Sequence, residues 1–320
     1  MIVVVTGASG FVGGALCRAA RAAGHRVLAL GRRPAVDPAL VGGAPYLSWD
    51  LADPSARPAV PAPFARPDAV VHCAGLATDW ARPEAFEHGN VLTTRGALAA
   101  FPDAARFVHL STASVYDPRR PTVLAREAEA DGVRLPDPYG RSKAQAEAWV
   151  RRLRPDAVVL RPHAVYGPGD TTLLPRVLQA VRRTPRGPRL FAVGDGRQLL
   201  SLTGVANLVD ACLLAAAGDA HGTFNVCDRE PVRLDDVLRE VLIGHGLPPA
   251  PVYLPLAVAL PPARAAELLA RATGSARRPR LTVYAVRHLA HERTLDLTAA
   301  RTRLGYRPAP TDLGPALRAS

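Results

Sequence analysis

A tyrosine and a lysine four positions apart, Tyr139 and Lys143, are the residues in this sequence whose types and spacing best suit acid–base chemistry. They lie at the start of a predicted helix, where positions i and i+4 share one face. A nearby cation favours the tyrosinate form, which lowers the cost of moving a proton between the phenol and a substrate oxygen. Lys143 is the only lysine among the 40 Lys plus Arg residues. We therefore expect this position to require lysine, a compact cation that can bind ribose hydroxyls beside a phenol.

A glycine-rich turn, TGASGFVG from Thr6 to Gly13, stands where the first predicted strand passes into the first predicted helix. Glycines in such a turn let backbone N–H groups and the positive end of the helix dipole approach a pyrophosphate. A glycine triplet alone can also be a tight turn with no ligand. Because this one lies at the first strand-to-helix junction, where the chemistry requires it, the sequence predicts a dinucleotide site.

The residues after the second predicted strand bear on which dinucleotide is bound. NAD-selective sites usually place an acidic residue about twenty positions beyond the glycines, where it binds the ribose 2′-hydroxyl. This chain has Gly31 there, followed by Arg32 and Arg33. Arginine pairs with phosphate in a bidentate, charge-assisted geometry, which suits a 2′-phosphate. The alternative is two more surface arginines in an arginine-rich protein. The sequence favours NADP(H), with NAD(H) as the other possibility.

Short β-branched runs alternate with helical patterns over residues 1–160, which is typical of βαβ units and a parallel sheet. The segment from Pro54 to Pro67 is too rich in proline for a regular helix and is predicted to be a loop. We predict strands at Ile2–Val5, Arg26–Leu30, Ala69–His72, Arg106–Leu110 and Ala157–Leu160, and helices at Phe11–Ala22, Pro83–Ala100 and Pro138–Leu153.

Beyond Pro162 the pattern is less regular, which indicates a second unit made of separate pieces. We predict helices at Thr172–Arg183, Val205–Ala217, Leu234–Gly244 and Thr298–Leu304, and strands near Leu190 and at Thr223–Val226. The predicted fold is α/β: a Rossmann doubly wound parallel sheet with a smaller, discontinuous α/β substrate lobe. We place the dinucleotide-binding domain at residues 1–163, joined by 203–227, and the substrate-binding lobe at 164–202 and 228–320.

Composition and charge argue against several classes of protein. The chain is 48% hydrophobic and 21% charged, as in ordinary globular proteins, and its apolar runs are too short to span a bilayer. Met1 leads into a β-like run with no secretory signal, so we expect a cytoplasmic protein. The net charge of +12 could attract nucleic acid, but basic residues are spread along the chain and no aromatic-interleaved basic motif occurs. We expect no nucleic-acid partner.

Neither the cysteines nor the histidines predict a metal site. The four cysteines are far apart in the sequence and show no CxxC pairing. His288 and His291 are three apart on a predicted helix, but no HExxH accompanies them. We expect reduced thiols and no bound metal.

Taken together, these motifs resemble those of an extended short-chain dehydrogenase/reductase over nearly the full chain. TGASGFVG resembles that family's TGxxGxxG, and STASVY, from Ser111 to Tyr116, is similar to its S[ST]xxVY. Further similar segments are Trp49-Asp50-Leu51 at the adenine, HCAG from His72 to Gly75, Asn90-Val91 of the NVxGT helix, and Leu160 to Asp170, which resembles LRxxxVYGPGD.

The resemblance implies roles for individual residues. Tyr139 would be the acid/base, Lys143 its modulator and ribose anchor, and Thr112 the hydrogen-bond donor to the substrate oxygen. In a reduction the nicotinamide would deliver hydride to a carbonyl carbon while Tyr139 gives the proton. We also expect a homodimer in which the helices bearing Asn90 and residues 139–153 pair across a two-fold axis. The implied cofactor contacts are Gly7, Ser9, Gly10, Phe11, Val12, Gly13, Arg32, Arg33, Asp50, Leu51, Ala74, Gly75, Leu76, Asn90, Ser111, Tyr139, Lys143, Pro162 and Val165.

Two departures separate the chain from the nucleotide-sugar enzymes that it resembles. Dehydratases place an Asp-Glu pair after the catalytic threonine, whereas this chain has Ala113 and Ser114. Nucleotide-sugar enzymes tend to place an arginine on the substrate pyrophosphate at the position of Leu200, and losing such a charge-assisted clamp is costly. The segments 171–178 and 281–308 look more like the 3β-hydroxysteroid dehydrogenase, sterol-4-carboxylate dehydrogenase and 2-alkyl-3-oxoalkanoate reductase group.

The sequence therefore predicts an NADP(H)-dependent oxidoreductase that interconverts a ketone and a secondary alcohol, a 3-oxo or 3-hydroxy group on an apolar or carboxylated small molecule. The candidate substrate contacts are Trp80, Ser114 and His163, with Leu76 and the apolar segment 254–260 as further pocket residues. One alternative is a nucleotide-sugar epimerase or 4-keto reductase. Another is a cofactor-binding regulator without turnover, against which the intact acid/base set argues.

Overall fold

Strands and helices alternate along the chain in the computed structural model, which describes residues 1–55, 57–132, 134–275 and 277–319. The strands are β1 (Ile2–Thr6), β2 (Arg26–Gly31), β3 (Tyr46–Ser48), β4 (Ala69–His72), β5 (Arg106–Leu110), β6 (Thr122–Ala125), β7 (Val158–Pro162), β8 (Val165–Tyr166), β9 (Val181–Thr184), β10 (Gly187–Val193), β11 (Leu199–Leu200), β12 (Thr203–Gly204), β13 (Gly222–Val226), β14 (Val232–Arg233), β15 (Val252–Leu254) and β16 (Arg293–Leu295). The helices are α1 (Phe11–Ala22), α2 (Pro83–Phe86), α3 (Thr93–Ala100), α4 (Pro138–Leu153), α5 (Leu173–Gln179), α6 (Val205–Ala217), α7 (Leu234–Gly244), α8 (Leu256–Ala272), α9 (Val283–Ala290), α10 (Thr298–Arg303) and α11 (Gly314–Arg318).

A central sheet of seven parallel strands runs in the order β13-β7-β5-β4-β1-β2-β3. The strand order reverses beside β1, which opens a crevice at the carboxyl ends of β1 and β4. Helices cover both faces, as the nearly continuous apolar strands require: α1 and α6 pack on one face, α3 and α4 on the other. The predicted Rossmann fold is confirmed.

A second lobe lies against the carboxyl edge of this sheet. It is made of the elements α5, β9–β11, β14, β15, α7–α9 and β16. It contains a three-stranded sheet, β15-β10-β9, and a four-stranded sheet, β14-β11-β16-β6. Strand β6 of the four-stranded sheet comes from the first half of the chain. Leucines from separate stretches form its core, among them Leu174, Leu190, Leu200 and Leu238. The exact division into residues 1–163 with 203–227, and 164–202 with 228–320, stays a prediction.

The helix predicted over Pro83–Ala100 is three pieces: α2, a π-helical turn at Glu87–Leu92, and α3. The wider turn brings Gly89 against Leu76, where an added Cβ would stand 2.8 Å from the leucine Cβ. It also directs the side chain of Asn90 inward, so that Oδ1 accepts from the Leu76 N–H at 2.7 Å and Nδ2 donates to Ser142 Oγ at 2.8 Å. The π-turn therefore ties the loop after β4 to α4.

The helix predicted over Thr172–Arg183 is too long, because α5 ends at Gln179 and the chain turns back as the hairpin of β9 and β10. Its two turn residues, 185 and 186, precede Gly187, whose φ of +93° suits glycine. Antiparallel pairing of β9 with β10 then favours extended backbone over the local helical pattern. Within the described residues, no helix is both long and apolar enough to cross a membrane.

A fully buried ion pair joins α4 to the central sheet. Arg161 of β7 donates from Nε and Nη2 to the two carboxylate oxygens of Glu147, at 2.9 and 2.7 Å. Ser111, which follows β5, donates to the same carboxylate at 2.5 Å, and Arg151 donates to it at 2.9 Å. Burial alone would raise the pKa of Glu147, but these donors hold it below its usual range. The carboxylate therefore stays charged and fixes α4 against β5 and β7.

Replacing Glu147 with alanine should destabilise the fold by about 3–5 kcal/mol, because Arg161 would keep a buried charge without a partner. The double variant Glu147→Leu, Arg161→Met should recover most of that loss, since it removes both charges. Urea denaturation curves give the free energies, with Glu230→Ala, a change at an exposed carboxylate, as the matched control. A Glu147→Ala loss as small as that of the control contradicts this account.

Candidate active site

A single cavity of about 1050 Å³ runs from the turn after β1, across the carboxyl edge of the central sheet, and into the second lobe. It brings together most of the residues singled out in the sequence: Gly7, Ser9, Gly10, Phe11, Val12, Gly13, Arg32, Arg33, Asp50, Leu51, Ala74, Gly75, Ser111, Thr112, Ser114, Tyr139, Pro162, His163 and Val165 all line it. Leu76, Trp80, Asn90, Lys143 and the segment 254–260 lie outside its lining.

Two of those outer residues have clear local roles. Asn90 is buried and braces the loop after β4 through Leu76, as described above. Trp80 packs beneath a cation of the second lobe, with Arg271 Cζ 5.7 Å from its ring centroid. These contacts give both side chains structural partners away from the cavity.

The turn after β1 has the shape that a pyrophosphate site needs. Gly7 has a φ of +68°, and a Cβ there would stand 2.6 Å from the Ala74 backbone nitrogen. A Cβ at Gly13 would overlap the Gly7 carbonyl. The N-cap of α1 is Gly10, and no side chain caps the helix. The first N–H groups of α1 are thus left to donate to a ligand, where the helix dipole favours negative charge.

The end of β2 leaves no room for an acidic side chain at position 31. A Cβ on Gly31 would lie 2.6 Å from the Tyr46 hydroxyl and 3.0 Å from Ser9 Oγ. Tyr46 is held in place by donating to the Arg33 carbonyl at 2.9 Å. Arg32 and Arg33 are exposed and line this end of the cavity. Cationic groups therefore occupy the place where an NAD-selective carboxylate would stand.

Tyr139 and Lys143 lie in the first two turns of α4, which begins at an aspartate N-cap. Asp137 accepts from the Gly140 N–H at 2.6 Å, and Pro138 occupies the first helical position. Lys143 is 6% exposed and donates from Nζ to the Leu110 carbonyl at 2.6 Å. Its ammonium is just behind Gly75, where an added Cβ would be 3.8 Å from Nζ. The lysine charge therefore lies close to Gly75, which lines the cavity.

Burial lowers the pKa of Lys143 to about 8, although the charge of Glu147 one helical turn away opposes that shift. Burial raises the pKa of Tyr139, with a hydrogen bond to the Thr112 side chain acting against it. At neutral pH the tyrosine is therefore a phenol that has a proton to give.

A chain of hydroxyls leads from Tyr139 into the second lobe. The Thr112 side chain opposes the rise that burial causes in the pKa of Tyr139, Thr112 Oγ1 donates to Ser114 Oγ at 3.1 Å, and Ser114 Oγ lies 2.6 Å from the Tyr284 hydroxyl. The rings of Tyr139 and Tyr284 meet edge to face, with centroids 6.2 Å apart. Hydroxyls linked in this way can pass a proton in sequence. Tyr284, which belongs to α9, was not among the predicted site residues.

Two neutral imidazoles also line the cavity. Burial lowers the pKa of His163 to about 4 and that of His288 to about 3. Their Nδ1 atoms lie 2.7 Å from the Ser201 carbonyl and 3.0 Å from the Tyr284 carbonyl, respectively, which assigns the ring proton to Nδ1 and leaves Nε2 as an acceptor. His288 stacks on Tyr284 at 3.9 Å, four residues away on α9. That i, i+4 pair was the sequence signal by which Tyr284 could have been found. His291 lies just beyond α9, and the described residues contain no group of three metal ligands.

A charged cluster joins the loop after β4 to the second lobe. Asp79, with a side chain 1% exposed, receives hydrogen bonds from Arg278 Nε and Nη2, both at 2.7 Å, and from Thr282 Oγ1 at 2.6 Å. Arg176 of α5 approaches the same carboxylate at 3.2 Å. Asp79, Arg176 and Arg278 all line the cavity. No local pattern in the sequence indicates this contact, because Asp79 and Arg278 are 199 residues apart.

Comparison with known proteins agrees with this geometry. Residues 3–227 match the NAD dependent epimerase/dehydratase family. The chain is 34% identical, over 94% of its own length and 90% of the other, to a 4-hydroxy-2-methyl-3-oxo-4-farnesyl-3,4-dihydroquinoline-1-oxide ketoreductase of Stigmatella aurantiaca. It is 33% identical, over 78% and 77%, to a 2-alkyl-3-oxoalkanoate reductase of Stenotrophomonas maltophilia (strain K279a).

Solved structures give the same picture. The crystal structure of gox2253 superposes with a TM-score of 0.76 at 26% identity, covering 99% of this chain and 97% of that one. MoeE5 in complex with UDP-glucuronic acid and NAD superposes with a TM-score of 0.70 at 25% identity, covering 100% and 97%. Relatives of known structure therefore share the fold over essentially the whole chain.

Exchange of Asp79 for asparagine should lower the free energy of unfolding at pH 7 by about 1–3 kcal/mol, because it weakens charge-assisted hydrogen bonds to a buried group. Burial alone would raise the pKa of Asp79, but Arg278, Arg176 and Thr282 hold it below its usual range. A depressed carboxyl pKa stabilises the fold above the unfolded value of about 3.9 and loses that effect as the pH falls through the folded value.

The difference between wild type and Asp79→Asn should therefore be largest near pH 7 and should narrow below about pH 4. Thermal unfolding between pH 3 and 7 measures it, with Asp103→Asn at an exposed position as the control. A difference that stays constant across this range would show that the charge of Asp79 is not what stabilises the cluster.

Proposed function

We propose that this chain, which belongs to the NAD dependent epimerase/dehydratase family and is an enzyme of the extended short-chain dehydrogenase/reductase class, interconverts a ketone and a secondary alcohol with NADP(H). The observation that carries the proposal is that Tyr139 and Thr112 line the same cavity as the glycine turn, while the buried Lys143 lies one helical turn from Tyr139 on α4. An acid, a hydroxyl donor and a cation grouped in this way suit proton transfer to a developing alkoxide.

In the reduction, the nicotinamide of the bound cofactor supplies the hydride. Tyr139 gives its phenolic proton to the ketone oxygen, and Thr112 holds that oxygen by a hydrogen bond. Lys143 stabilises the tyrosinate that this step leaves, because its charge lies one helical turn away on the same face of α4. A proton from solvent that enters the cavity then restores the Tyr139 phenol, while Thr112 and Ser114 stay linked to Tyr284 through their hydroxyls. In the oxidation the same groups act in the opposite order.

NADP(H) is the proposed cofactor because of the residues around Gly31. Tyr46 fills the space that an acidic side chain at position 31 would need. Arg32 and Arg33 line the same end of the cavity and can pair with a 2′-phosphate. Asp50 and Leu51 lie beside them, where the resemblance places the adenine.

The proposed substrate carries its 3-oxo or 3-hydroxy group on an apolar or carboxylated molecule. Beyond Tyr139 the cavity continues between leucines of the second lobe, including Leu174, Leu190, Leu200 and Leu238. Leu200 is 6% exposed, so no cation stands at the position where nucleotide-sugar enzymes tend to grip a pyrophosphate. The two relatives described above are named as a ketoreductase and a 2-alkyl-3-oxoalkanoate reductase, and both names agree with a carbonyl substrate.

A nucleotide-sugar epimerase or 4-keto reductase is the second candidate. It is favoured by the fold likeness to MoeE5, which was solved with UDP-glucuronic acid and NAD. The apolar interior around Leu200 favours the first candidate. A homodimer and a cytoplasmic location stay predictions.

Tyr139→Phe should reduce turnover by about 10²–10⁴-fold, because a positioned general acid contributes that much to a proton-transfer step. The measurement is NADPH oxidation, followed by absorbance, with 3-oxo esters, 3-ketosteroids and 4-keto sugar nucleotides as substrates. We expect turnover of a 3-oxo compound that depends on Tyr139. Turnover of sugar nucleotides alone would instead establish the second candidate.

Changing Arg32 and Arg33 together to alanine should lower kcat/KM for NADPH by about 10- to 100-fold, since a hydrogen bond to a charged group contributes about 1.5–3 kcal/mol. The value for NADH should change much less, because NADH lacks the 2′-phosphate. Arg21→Ala, at an exposed position of α1 outside the cavity lining, is the control. Equal losses with both cofactors would overturn the role given to these arginines.

A further inference from the structure

The cluster around Asp79 carries more positive than negative charge. One carboxylate, Asp79, faces two guanidinium groups, those of Arg176 and Arg278. The three side chains come from separate parts of the chain and meet at the wall of the cavity. Arg280 lies on the same wall and is exposed. This wall therefore attracts anions.

The two arginines contact the Asp79 carboxylate in different ways. Arg278 forms a bidentate pair with the carboxylate, through two hydrogen bonds of 2.7 Å, and so satisfies it. Arg176 approaches the carboxylate with one nitrogen, at 3.2 Å. Among the described residues, its guanidinium has no other ion-pair or hydrogen-bond partner. Most of its donors are thus available, and its side chain is 33% exposed.

Arg176 is also close to the candidate reacting group. Burial raises the pKa of Tyr139 and the charge of Arg176 opposes that shift, whereas burial and Asp79 both raise the pKa of Tyr284, whose ring centroid lies 6.2 Å from that of Tyr139. Arg176 and Tyr139 also line the same cavity. The position of Arg176 thus suits an anionic group carried by the same molecule as the ketone.

We propose that Arg176 binds a carboxylate of the same substrate whose 3-oxo group Tyr139 protonates. This proposal rests on the proposed ketone–alcohol function. A carboxylate accepts two hydrogen bonds from one guanidinium, which fixes both distance and orientation. The substrate is then a 3-oxo acid or 3-hydroxy acid whose alkyl part extends between the leucines of the second lobe. Asp79 forms its bidentate pair with Arg278. It positions Arg176 through a single contact, which leaves part of the Arg176 charge uncompensated.

The test compares 3-hydroxyoctanoic acid with its methyl ester, which differs at the carboxyl group and lacks the charge. The rate of NADP⁺ reduction by each compound gives kcat/KM for the full-length enzyme. We expect the wild type to favour the acid by at least tenfold. Arg176→Leu should lower the ratio of acid to ester by tenfold or more, and Arg176→Lys should retain part of it. Arg186→Leu, at an exposed hairpin turn, should leave the ratio unchanged.

A binding measurement keeps this proposal separable from the proposed function. Calorimetric titration of the enzyme with octanoate and with octanamide, in the presence of NADP⁺, requires no turnover. Tighter binding of octanoate that is lost in Arg176→Leu supports the carboxylate site even if no hydroxy compound is oxidised, in which case the ketone–alcohol function fails alone. Equal preference for acid and ester in the wild type, or a parallel loss of both in Arg176→Leu, overturns the carboxylate site while the oxidoreductase function stands.

Discussion

The buried ion pair between Glu147 and Arg161 sets the geometry on which the candidate site depends. A bidentate pair tolerates little displacement, and this one shares its carboxylate with Ser111 at the end of β5. Arg161 also donates to the Glu127 carbonyl at 2.7 Å and lies 5.5 Å from the ring centroid of Tyr116. The pair thus links α4, the edge of the central sheet and the segment that follows β6. Apolar packing alone would hold α4 against the sheet without fixing its register so closely.

The register of α4 against the sheet determines the position of Lys143, and therefore the position of its charge near the cavity. Glu147 accepts hydrogen bonds from Arg161 and Arg151, and its charge also acts on the Lys143 ammonium one turn away. The Asp79 cluster repeats this pattern, because one carboxylate holds two guanidinium groups. In both places a buried acid positions cations without cancelling them. The result is an electropositive cavity that suits a cofactor carrying several phosphates.

Local sequence patterns were enough to predict the elements that depend on neighbouring residues. The bounds of α1, α4, α6 and α7 agree with the predicted helices, and the glycine turn and the Tyr139–Lys143 pair lie on elements of the predicted kind. Strand β9 escaped prediction, because its residues continue a helical pattern that is overridden by pairing with β10, where a strand near Leu190 was predicted. The contacts between Ser114 and Tyr284, 170 residues apart, and between Asp79 and Arg278 leave no short-range signal at all.

The arrangement of the cavity also bears on which face of a ketone is reduced. Burial of an alkyl chain among leucines is favourable but not directional, so it draws the substrate in without fixing its rotation. In the proposed reaction, hydrogen bonds from Tyr139 and Thr112 would fix the carbonyl oxygen, but a ketone could still turn about that oxygen and present either face. A second polar contact beside the first removes this freedom, and Arg176 is the charged group placed to make it. The stereochemistry of hydride transfer would then depend on an arginine from α5 of the second lobe, while the acid/base groups come from the central sheet and α4.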